Sequence, residues 1–338
     1  MPPSISIIIP CYNEAATIAS LLEAIRRQSH PLDDIEVVIA DGMSDDGTRA
    51  RIAEFAAAHS DLKVRMVDNP RRIIPAALNR AVEAARGEVI IRMDAHSIPA
   101  RDYVARCLEV LEEAVAANVG GVWDIQAGAD TWIARGIAAA AAHPLGAGGA
   151  RYRIGGEAGP VETVPFGAFR REWHERVGKF DETLLTNEDY EYNVRIHEAG
   201  GMVWFDPRIR STYLARPTLA ALARQYARYG YWKARMLRRY PGTLKPRQGI
   251  PALFVSSLLL LLVASIFAPV ARLLLGVELG LYLAVILGAA AGQAWRKRSL
   301  GLLISFPLAL WTMHLAWGSA FLAGVASAWL GIGNGNGN

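Results

Sequence analysis

Acidic residues are missing from a long stretch of this chain. Between Pro207 and Val277 there is no Asp or Glu, and after Ser299 there is no Asp, Glu, Lys or Arg. A stretch that first loses its carboxylates and then all charge does not suit a water-facing surface, which excludes an ordinary aqueous domain for the C-terminal third. Charged residues make up only 20% of the 338 residues, against roughly 25% in average globular sequence. Cysteine is scarce, with Cys11 and Cys107 far apart. That excludes a disulfide framework or a metal knuckle and leaves two reduced thiols at apolar sites. The start, Met1-Pro2-Pro3, lacks a basic n-region, and the apolar run Ile5 to Pro10 is too short for a secretory signal. The N-terminal part is therefore expected to stay in the cytoplasm. The net charge of +4 and the pI near 9.1 do not point to nucleic acid. The basic excess lies beside apolar segments, where membrane lipids with anionic headgroups are the expected partner.

What is present begins with four short apolar runs alternating with helix-like segments. Ser4–Pro10, Ile35–Ala40, Leu62–Val67 and Glu88–Met93 read as strands, continuous and rich in β-branched residues. Ala16–Gln28, Asp46–His59 and Ile74–Ala85 read as helices, the second with Ser44 and Asp45 as candidate caps. Strands buried on both faces and separated by helices predict an α/β fold with a mostly parallel, Rossmann-like sheet. Ligands of such sheets bind beyond the carboxyl ends of the strands. The residues there are Cys11-Tyr12-Asn13-Glu14, then Asp41-Gly42 with Ser44-Asp45-Asp46-Gly47-Thr48, then Asp68-Asn69-Pro70-Arg71-Arg72, then Asp94-Ala95-His96. Gly146 to Gly159 is rich in glycine and reads as a mobile loop.

Pro217–Tyr240 has Leu219, Leu222, Tyr226, Tyr229 and Met236 at helical spacing among Arg224, Arg228, Lys233, Arg235, Arg238 and Arg239. That composition suits an amphipathic helix at a membrane surface. Three apolar segments follow: Gly249–Ala271, the shorter Leu279–Trp295, and Leu300–Leu330 with room to tilt or break near Gly318 or Gly324. A span needs about 20 apolar residues. Lys245 and Arg247 before the first span and Arg296-Lys297-Arg298 after the second can both face the cytoplasm if the first two spans form a hairpin. The expected organisation is a cytoplasmic catalytic domain over 1–215, a basic interfacial region over 216–247, a membrane anchor of about three helices over 248–332, and a flexible tail over 333–338. The expected location is a bacterial inner membrane, crossed more than once.

Several of these residues carry chemistry. Asp41 at a strand end can accept hydrogen bonds from a nucleobase or ribose, or simply start a turn. Asp94 and His96, two residues apart after a strand, can face one divalent cation, Mn²⁺ or Mg²⁺. Such an ion would neutralise a departing diphosphate, with Arg71 or Arg72 pairing to phosphate. Glu188 and Asp189 are candidate general bases, or an acidic first turn favoured by the helix dipole.

The motifs Ile7-Ile8-Ile9-Pro10-Cys11-Tyr12-Asn13-Glu14, Ala40-Asp41-Gly42, Ser44-Asp45-Asp46-Gly47-Thr48, Asp94-Ala95-His96 and Asn187-Glu188-Asp189 resemble, in order and spacing, family 2 glycosyltransferases of the GT-A fold over about Ser4 to Tyr240. Gly120-Gly121-Val122-Trp123, Pro165-Phe166-Gly167-Ala168 and the apolar tail resemble the succinoglycan-type exopolysaccharide glucosyltransferases within it. The resemblance implies that Pro10, Tyr12 and Glu14 line the base and ribose pocket and that Asp41 binds uracil or ribose. Asp94 and His96 would hold the diphosphate through the metal, with Arg71 assisting. Asp189 would be the base of an inverting transfer. Trp123, Glu188, Gln225 and Arg228 fall in the acceptor or donor-sugar region. The family's metal motif ends in Asp where this chain has His96. Gln225-Tyr226-Ala227-Arg228-Tyr229 is similar to the Gln-x-x-Arg-Trp motif of processive synthases, with Tyr last. The implied reaction moves a hexose, glucose by this resemblance, from a UDP-sugar to a lipid-linked (polyprenyl-diphosphate) saccharide. A processive polysaccharide synthase and a non-catalytic nucleotide-sugar-binding subunit stand as alternatives.

Overall fold

The computed structural model describes residues 4–330 and divides into two compact units, Met1–Asp124 with Arg151–Tyr213, and Ile125–Ala150 with the chain from Leu214 onward. The tail expected over 333–338 lies outside the described residues.

In chain order the elements are β1 (Ile5–Cys11), α1 (Ile18–Arg26), β2 (Ile35–Asp41), α2 (Thr48–Ala58), β3 (Lys63–Asp68), α3 (Ile74–Ala84), β4 (Val89–Arg92), β5 (Ser97–Pro99), α4 (Tyr103–Glu113), β6 (Asn118–Ala127), α5 (Trp132–Ala141), α6 (Pro144–Ala147), α7 (Arg151–Ile154), β7 (Gly159–Pro160), β8 (Ala168–Arg170), α8 (Arg171–Val177), α9 (Glu188–Glu198), β9 (Val203–Ala215), α10 (Leu219–Leu237), α11 (Pro246–Ala264), α12 (Pro269–Lys297) and α13 (Leu302–Trp329).

The first unit is built on a mixed sheet of order β3-β2-β1-β4-β8-β6-β9-β5, with β7 pairing to β9. Its first half is the parallel α/β layer expected from the apolar runs. β1 pairs in parallel with β2 and β4, and β2 with β3. Every residue of β2 is buried, as are Ile7, Ile8 and Ile9 of β1. Burying each such side chain stabilises by about 1.5–3 kcal/mol before conformational entropy is subtracted. Helices cover both faces. Leu21, Leu22 and Ile25 of α1 join the cluster on one side of β1, and Leu78, Ala81 and Val82 of α3 join the cluster on the other. Beyond β4 every recorded pairing is antiparallel, and this irregular second half carries α9. Parallel pairing aligns Cys11, Asp41 and Asp68 across three strand ends.

Two local expectations change. Ser44 and Asp45 do not cap α2. Gly47, at φ +95°, precedes the helix, while Ser44 bonds Asp41 and Asp45 bonds Asn13. The buried carboxylate of Asp41 needs donors, and Ser44 supplies them. The glycine-rich segment is not a plain loop. It folds into the single turns α6 and α7, with Gly148, Gly149, Gly155 and Gly156 at positive φ between and after them.

In the second unit three helices are long and apolar enough to cross a membrane among the described residues. The second of them is longer than expected. It runs from Pro269 to Lys297 and takes in Arg272, which donates to the Ser265 carbonyl at 2.7 Å, and Glu278, whose Oε1 accepts from the Ser257 hydroxyl. α13 does not break at Gly318 or Gly324. These glycines admit neighbouring helices: a β-carbon at Gly318 would lie 2.4 Å from the Pro251 carbonyl oxygen, and one at Gly324 2.8 Å from that of Tyr231. The amphipathic helix α10 is capped by Thr218, which accepts from Ala221 N–H at 3.2 Å. It packs along α13, where Gly230 meets the Trp317 backbone.

These contacts predict a contrast. Gly230→Ala puts a β-carbon 2.2 Å from the Trp317 carbonyl oxygen, whereas Gly276→Ala and Gly280→Ala meet nothing within 4 Å. The clash costs about 1–3 kcal/mol, which outweighs a gain in helix propensity of about 1 kcal/mol or less. Thermal unfolding in detergent is expected to show a lowered midpoint for Gly230→Ala and unchanged or raised midpoints for the other two. Equal midpoints for all three would remove close helix packing as the reason for Gly230.

Candidate active site

The site grows from the carboxyl ends of β1, β2 and β4. After β1 the chain turns through Asn13 at φ +54°, which leaves Tyr12 44% exposed. Gly42 backs onto the Tyr12 ring, where a β-carbon would lie 3.0 Å from Cδ2. The Arg72 guanidinium lies 5.7 Å from the ring centroid. Pro10 is half-buried beside the fully buried Asp41. The Asp41 carboxylate accepts from the Ser44 hydroxyl at 2.6 Å, from Ser44 N–H at 3.0 Å and from Arg49 Nη1 at 2.9 Å. Arg49 also donates to Asp68 at 2.9 Å. Asp41 therefore organises its own loop, and a nucleoside meets it only by sharing or displacing these donors. Arg71 pairs with Glu182, which also accepts from the Asn79 amide.

After β4, Asp94 and His96 follow a buried strand end. His96 Nδ1 faces Glu14 Oε1 at 2.9 Å, and Glu14 Oε2 accepts from the Thr17 hydroxyl at 2.5 Å. Burial would raise the Glu14 carboxyl, but the hydrogen bond and charge of His96, with the Thr17 hydroxyl, outweigh it and hold the group below the usual carboxylate range. Among the described residues no three His, Cys, Asp or Glu side chains converge into a metal cage. A hard cation bound through one or two protein groups plus substrate phosphates needs no such cage. The Glu14–His96 pair also matches the carboxylate–histidine hydrogen bond that orients a ligating histidine. The residues present therefore fit a divalent cation shared with a diphosphate.

Arg92, the last residue of β4, was not singled out from the sequence. It is 4% exposed, and its Nη2 donates to Asp94 Oδ1 at 3.1 Å and to Glu188 Oε1 at 2.9 Å. Burial opposes its charge, but Asp94, Glu188 and Asp189 more than compensate and raise the guanidinium above its ordinary range. The signal was present: a lone cation inside an apolar strand buried on both faces requires acids from elsewhere in the fold.

Those acids arrive on α9. Its first turn holds Glu188, Asp189 and Glu191, preceded by Asn187 at φ +67°. Asp189 Oδ1 accepts from Tyr190 N–H at 2.7 Å. Burial first, and then the neighbouring Glu188 charge, push the Asp189 carboxyl up to about 6, while Arg92 and the Tyr190 amide pull the other way. Asp94, Glu188 and Asp189 thus gather around one guanidinium.

Trp123 on β6 stacks on Tyr213, with centroids 4.4 Å apart and planes 5° apart, and tilts against Phe166 at 5.5 Å. One indole face is thereby covered. Gln225 and Arg228 belong to the second unit. Gln225 is buried on α10 and bonds the Tyr229 hydroxyl at 2.9 Å, and Arg228 is exposed. The thiol of Cys11 is pushed up by burial and by Asp41, Glu14 and Asp46, which keeps it protonated at neutral pH.

Comparison with known proteins gives a consistent answer. The profile described as glycosyl transferase family 2 matches residues 6–178. The succinoglycan biosynthesis protein ExoA of Rhizobium meliloti is 33% identical over 319 residues, covering 93% of each chain. A dolichyl N-acetyl-α-D-glucosaminyl phosphate 3-β-D-2,3-diacetamido-2,3-dideoxy-β-D-glucuronosyltransferase of Methanococcus voltae is 30% identical over 242 residues, 70% of this chain and 74% of that one. In fold, the mannosyltransferase PcManGT of Pyrobaculum calidifontis, solved with GDP-Man and Mn²⁺, superposes with a TM-score of 0.60 at 24% identity over 96% of this chain and 88% of its own. With its parallel half-sheet, its strand-end acids and relatives matched nearly end to end, the chain belongs to glycosyl transferase family 2 and is a glycosyltransferase of the GT-A fold.

Proposed function

We propose that this enzyme is an inverting transferase that moves a hexose from a UDP-sugar to a lipid-linked saccharide at the cytoplasmic face of a bacterial membrane, in exopolysaccharide or cell-surface glycan synthesis. The observation that carries the reading is Asp189: a carboxylate at a helix start, pushed up to about 6, clustered with the strand-end acid Asp94 through Arg92. A base with that affinity for protons is still ionised at neutral pH and better matched to a hydroxyl proton than an ordinary aspartate near 3.9.

The donor's base would stack over the exposed Tyr12 ring near Pro10, with the loop held by Asp41 beneath the ribose. The positive Arg72 over Tyr12 would meet phosphate. A divalent cation, Mn²⁺ or Mg²⁺, held by Asp94 and His96, would supply charge neutralisation for the departing diphosphate. Asp189 takes the proton of the acceptor hydroxyl as its oxygen bonds to the anomeric carbon. The bond from that carbon to the diphosphate breaks on the opposite face, and the nucleoside diphosphate leaves with the electron pair. Attack from the opposite face turns an α-linked donor into a β-linked product. Glu188 stays bonded to Arg92 beside the base.

The lipid-linked acceptor is supported by the three candidate spans and by the dolichyl-phosphate-linked sugar in the name of the Methanococcus relative. The expected organisation, with residues 1–215 cytoplasmic, 216–247 at the interface and 248–332 in the membrane, follows from the basic clusters before the first span and after the second. The altered Gln225–Tyr229 motif and the small number of spans favour transfer of single sugars over processive synthesis.

Asp189→Ala is expected to lower kcat for transfer by about 10²–10⁴-fold while leaving donor affinity within a factor of about two. Full activity would remove Asp189 from the role of base. In the wild type, kcat/KM is expected to fall as pH drops through about 6, because protonation removes the base. A limb near 4 would place the base elsewhere. Chelation with EDTA is expected to suppress transfer, and Mn²⁺ or Mg²⁺ to restore it. Undiminished turnover after chelation would rule out the ion.

A further inference from the structure

The three long apolar helices do not meet their surroundings in the same way. α11 and α12 run side by side as a hairpin. Phe254 stacks on Tyr282 with ring centroids 4.5 Å apart, and the Ser257 hydroxyl bonds Glu278. From there to the turn at 265–268, large side chains are exposed around both helices, among them Leu259, Leu260, Leu262, Val263, Leu273 and Leu274. The 19 residues of α11 rise about 28 Å, close to the thickness of a hydrocarbon core.

α13 is instead enclosed along its length by elements of its own unit. Gly301, just before it, lies against Trp132 of α5, and a β-carbon at Gly136 of α5 would lie 2.3 Å from the Ser305 side chain. His143, before α6, sits edge-on to Phe306, and His314 Nε2 donates to the Leu145 carbonyl at 2.8 Å. Farther on, α10 takes over. Gly230 meets Trp317, and the Tyr231 hydroxyl lies 3.3 Å from that of Ser327. Between residues 304 and 327 the exposed positions of α13 are Ile304, Leu308, Ser319, Ala323 and Ala326. They form one uncharged stripe at helical spacing.

That enclosure conflicts with a third crossing. A crossing α13 would put Trp317, and with it Gly230 of α10, near the bilayer centre. α10 would then run inside the hydrocarbon, with the exposed Arg228 close to the midplane. α10 carries Arg224, Arg228, Lys233 and Arg235 and no acid to offset them. Charges at that depth are costly, and only one stripe of α13 would gain contact with lipid in return. Lying in the interface, the same two helices keep the cations at headgroup level and still turn the stripe to the acyl chains.

We propose that α13 does not cross the bilayer. It lies beside α10 in the cytoplasmic leaflet with its stripe against the acyl chains, so that α11 and α12 alone span and Leu330 stays on the cytoplasmic side. The partner is a leaflet with anionic headgroups, which the exposed Arg224, Arg228 and Arg238 complement. The surface is continuous with the hairpin, whose flanking Lys245, Arg247 and Arg296-Lys297-Arg298 mark the same face. This inference rests on the membrane reading of the second unit above and refines it. The transfer reaction does not enter.

Single cysteines in the full-length protein test the arrangement. Cys11 and Cys107 are buried, so wild type gives the background. Ile304→Cys, Leu308→Cys, Ser319→Cys and Ala323→Cys are spin-labelled in vesicles of phosphatidylcholine with phosphatidylglycerol. The depth of each label is read by collision with oxygen and with a nickel chelate. All four are expected about 5–10 Å below the headgroup boundary. A crossing helix rises about 22 Å between residues 304 and 319, so a profile that deepens from Ile304 to Ser319 and turns back at Ala323 overturns the proposal. Labels lying in water at these positions overturn it too. Sidedness is read separately with a membrane-impermeant maleimide in inside-out and right-side-out vesicles, at the exposed Phe267, Leu300 and Leu330. Leu330→Cys is expected to react on the same side as Leu300→Cys, and Phe267→Cys on the other. Leu330→Cys reacting on the side of Phe267→Cys restores a third span and sinks the inference. Phe267→Cys reacting on the side of Leu300→Cys removes the crossing hairpin and with it the claim that α11 and α12 span. A protein that carbonate washes off the vesicles defeats the membrane reading itself, while titration with UDP shows separately whether the transferase reading stands.

Discussion

A single buried cation holds the chemical edge of this enzyme together. Arg92 ends the strand at which the sheet changes from parallel to antiparallel, since β4 pairs with β1 in one sense and β8 in the other. A guanidinium 4% exposed is tolerable only with acids against it. Its Nη2 reaches one on its own side, Asp94, and one from 96 residues further along, Glu188. That pairing fixes where α9 begins relative to the parallel half of the sheet, and with it where Asp189 sits. Without the cation, Glu188 would be an uncompensated buried charge and the first turn of α9 would have no reason to lie at the strand end.

The same logic of satisfying buried charge explains the nucleotide side. Asp41 is fully buried at the end of β2, and its two carboxylate oxygens recruit Ser44 and Arg49. Glu14 and His96 pair across β1 and β4. Each loop at the carboxyl edge is thus shaped by an acid that must find donors, and the loops leave Tyr12 exposed between Gly42 and Arg72. In the helical unit the governing constraint is different. Small residues let backbones meet: Gly230 against Trp317, Gly318 against Pro251, Gly324 against Tyr231. Where lipid replaces water, association by close packing rather than by the hydrophobic effect is the expected rule.

Much of this architecture was legible in the chain. Continuous β-branched runs do mark β1, β2 and β4, and the apolar C-terminal segments do form long helices. The failures have physical causes. Ser44 looked like a cap because local hydrogen bonding usually decides the role of a serine, yet the buried carboxylate of Asp41 is a stronger claimant. The second apolar helix extends beyond Leu279–Trp295 because an α-helix can carry the charged Arg272 and Glu278, whose side chains reach the Ser265 carbonyl on the neighbouring turn and the Ser257 hydroxyl on the neighbouring helix. Gly318 and Gly324 looked like breaks because glycine weakens an isolated helix, and they prove to be points of contact. The antiparallel half of the sheet had no clean alternation, since its strands are short or, like β9, run past several neighbours.

Local pattern and composition were enough to establish the α/β class, the acidic strand ends and the three apolar helices, because burial periodicity and hydrophobic length are properties of consecutive residues. Only the tertiary structure decided which charges meet. The pairing of Arg92 with Glu188, the rise of the Asp189 carboxyl and the pairing of Glu14 with His96 all depend on distances between residues far apart in the chain. No segment taken alone encodes those distances.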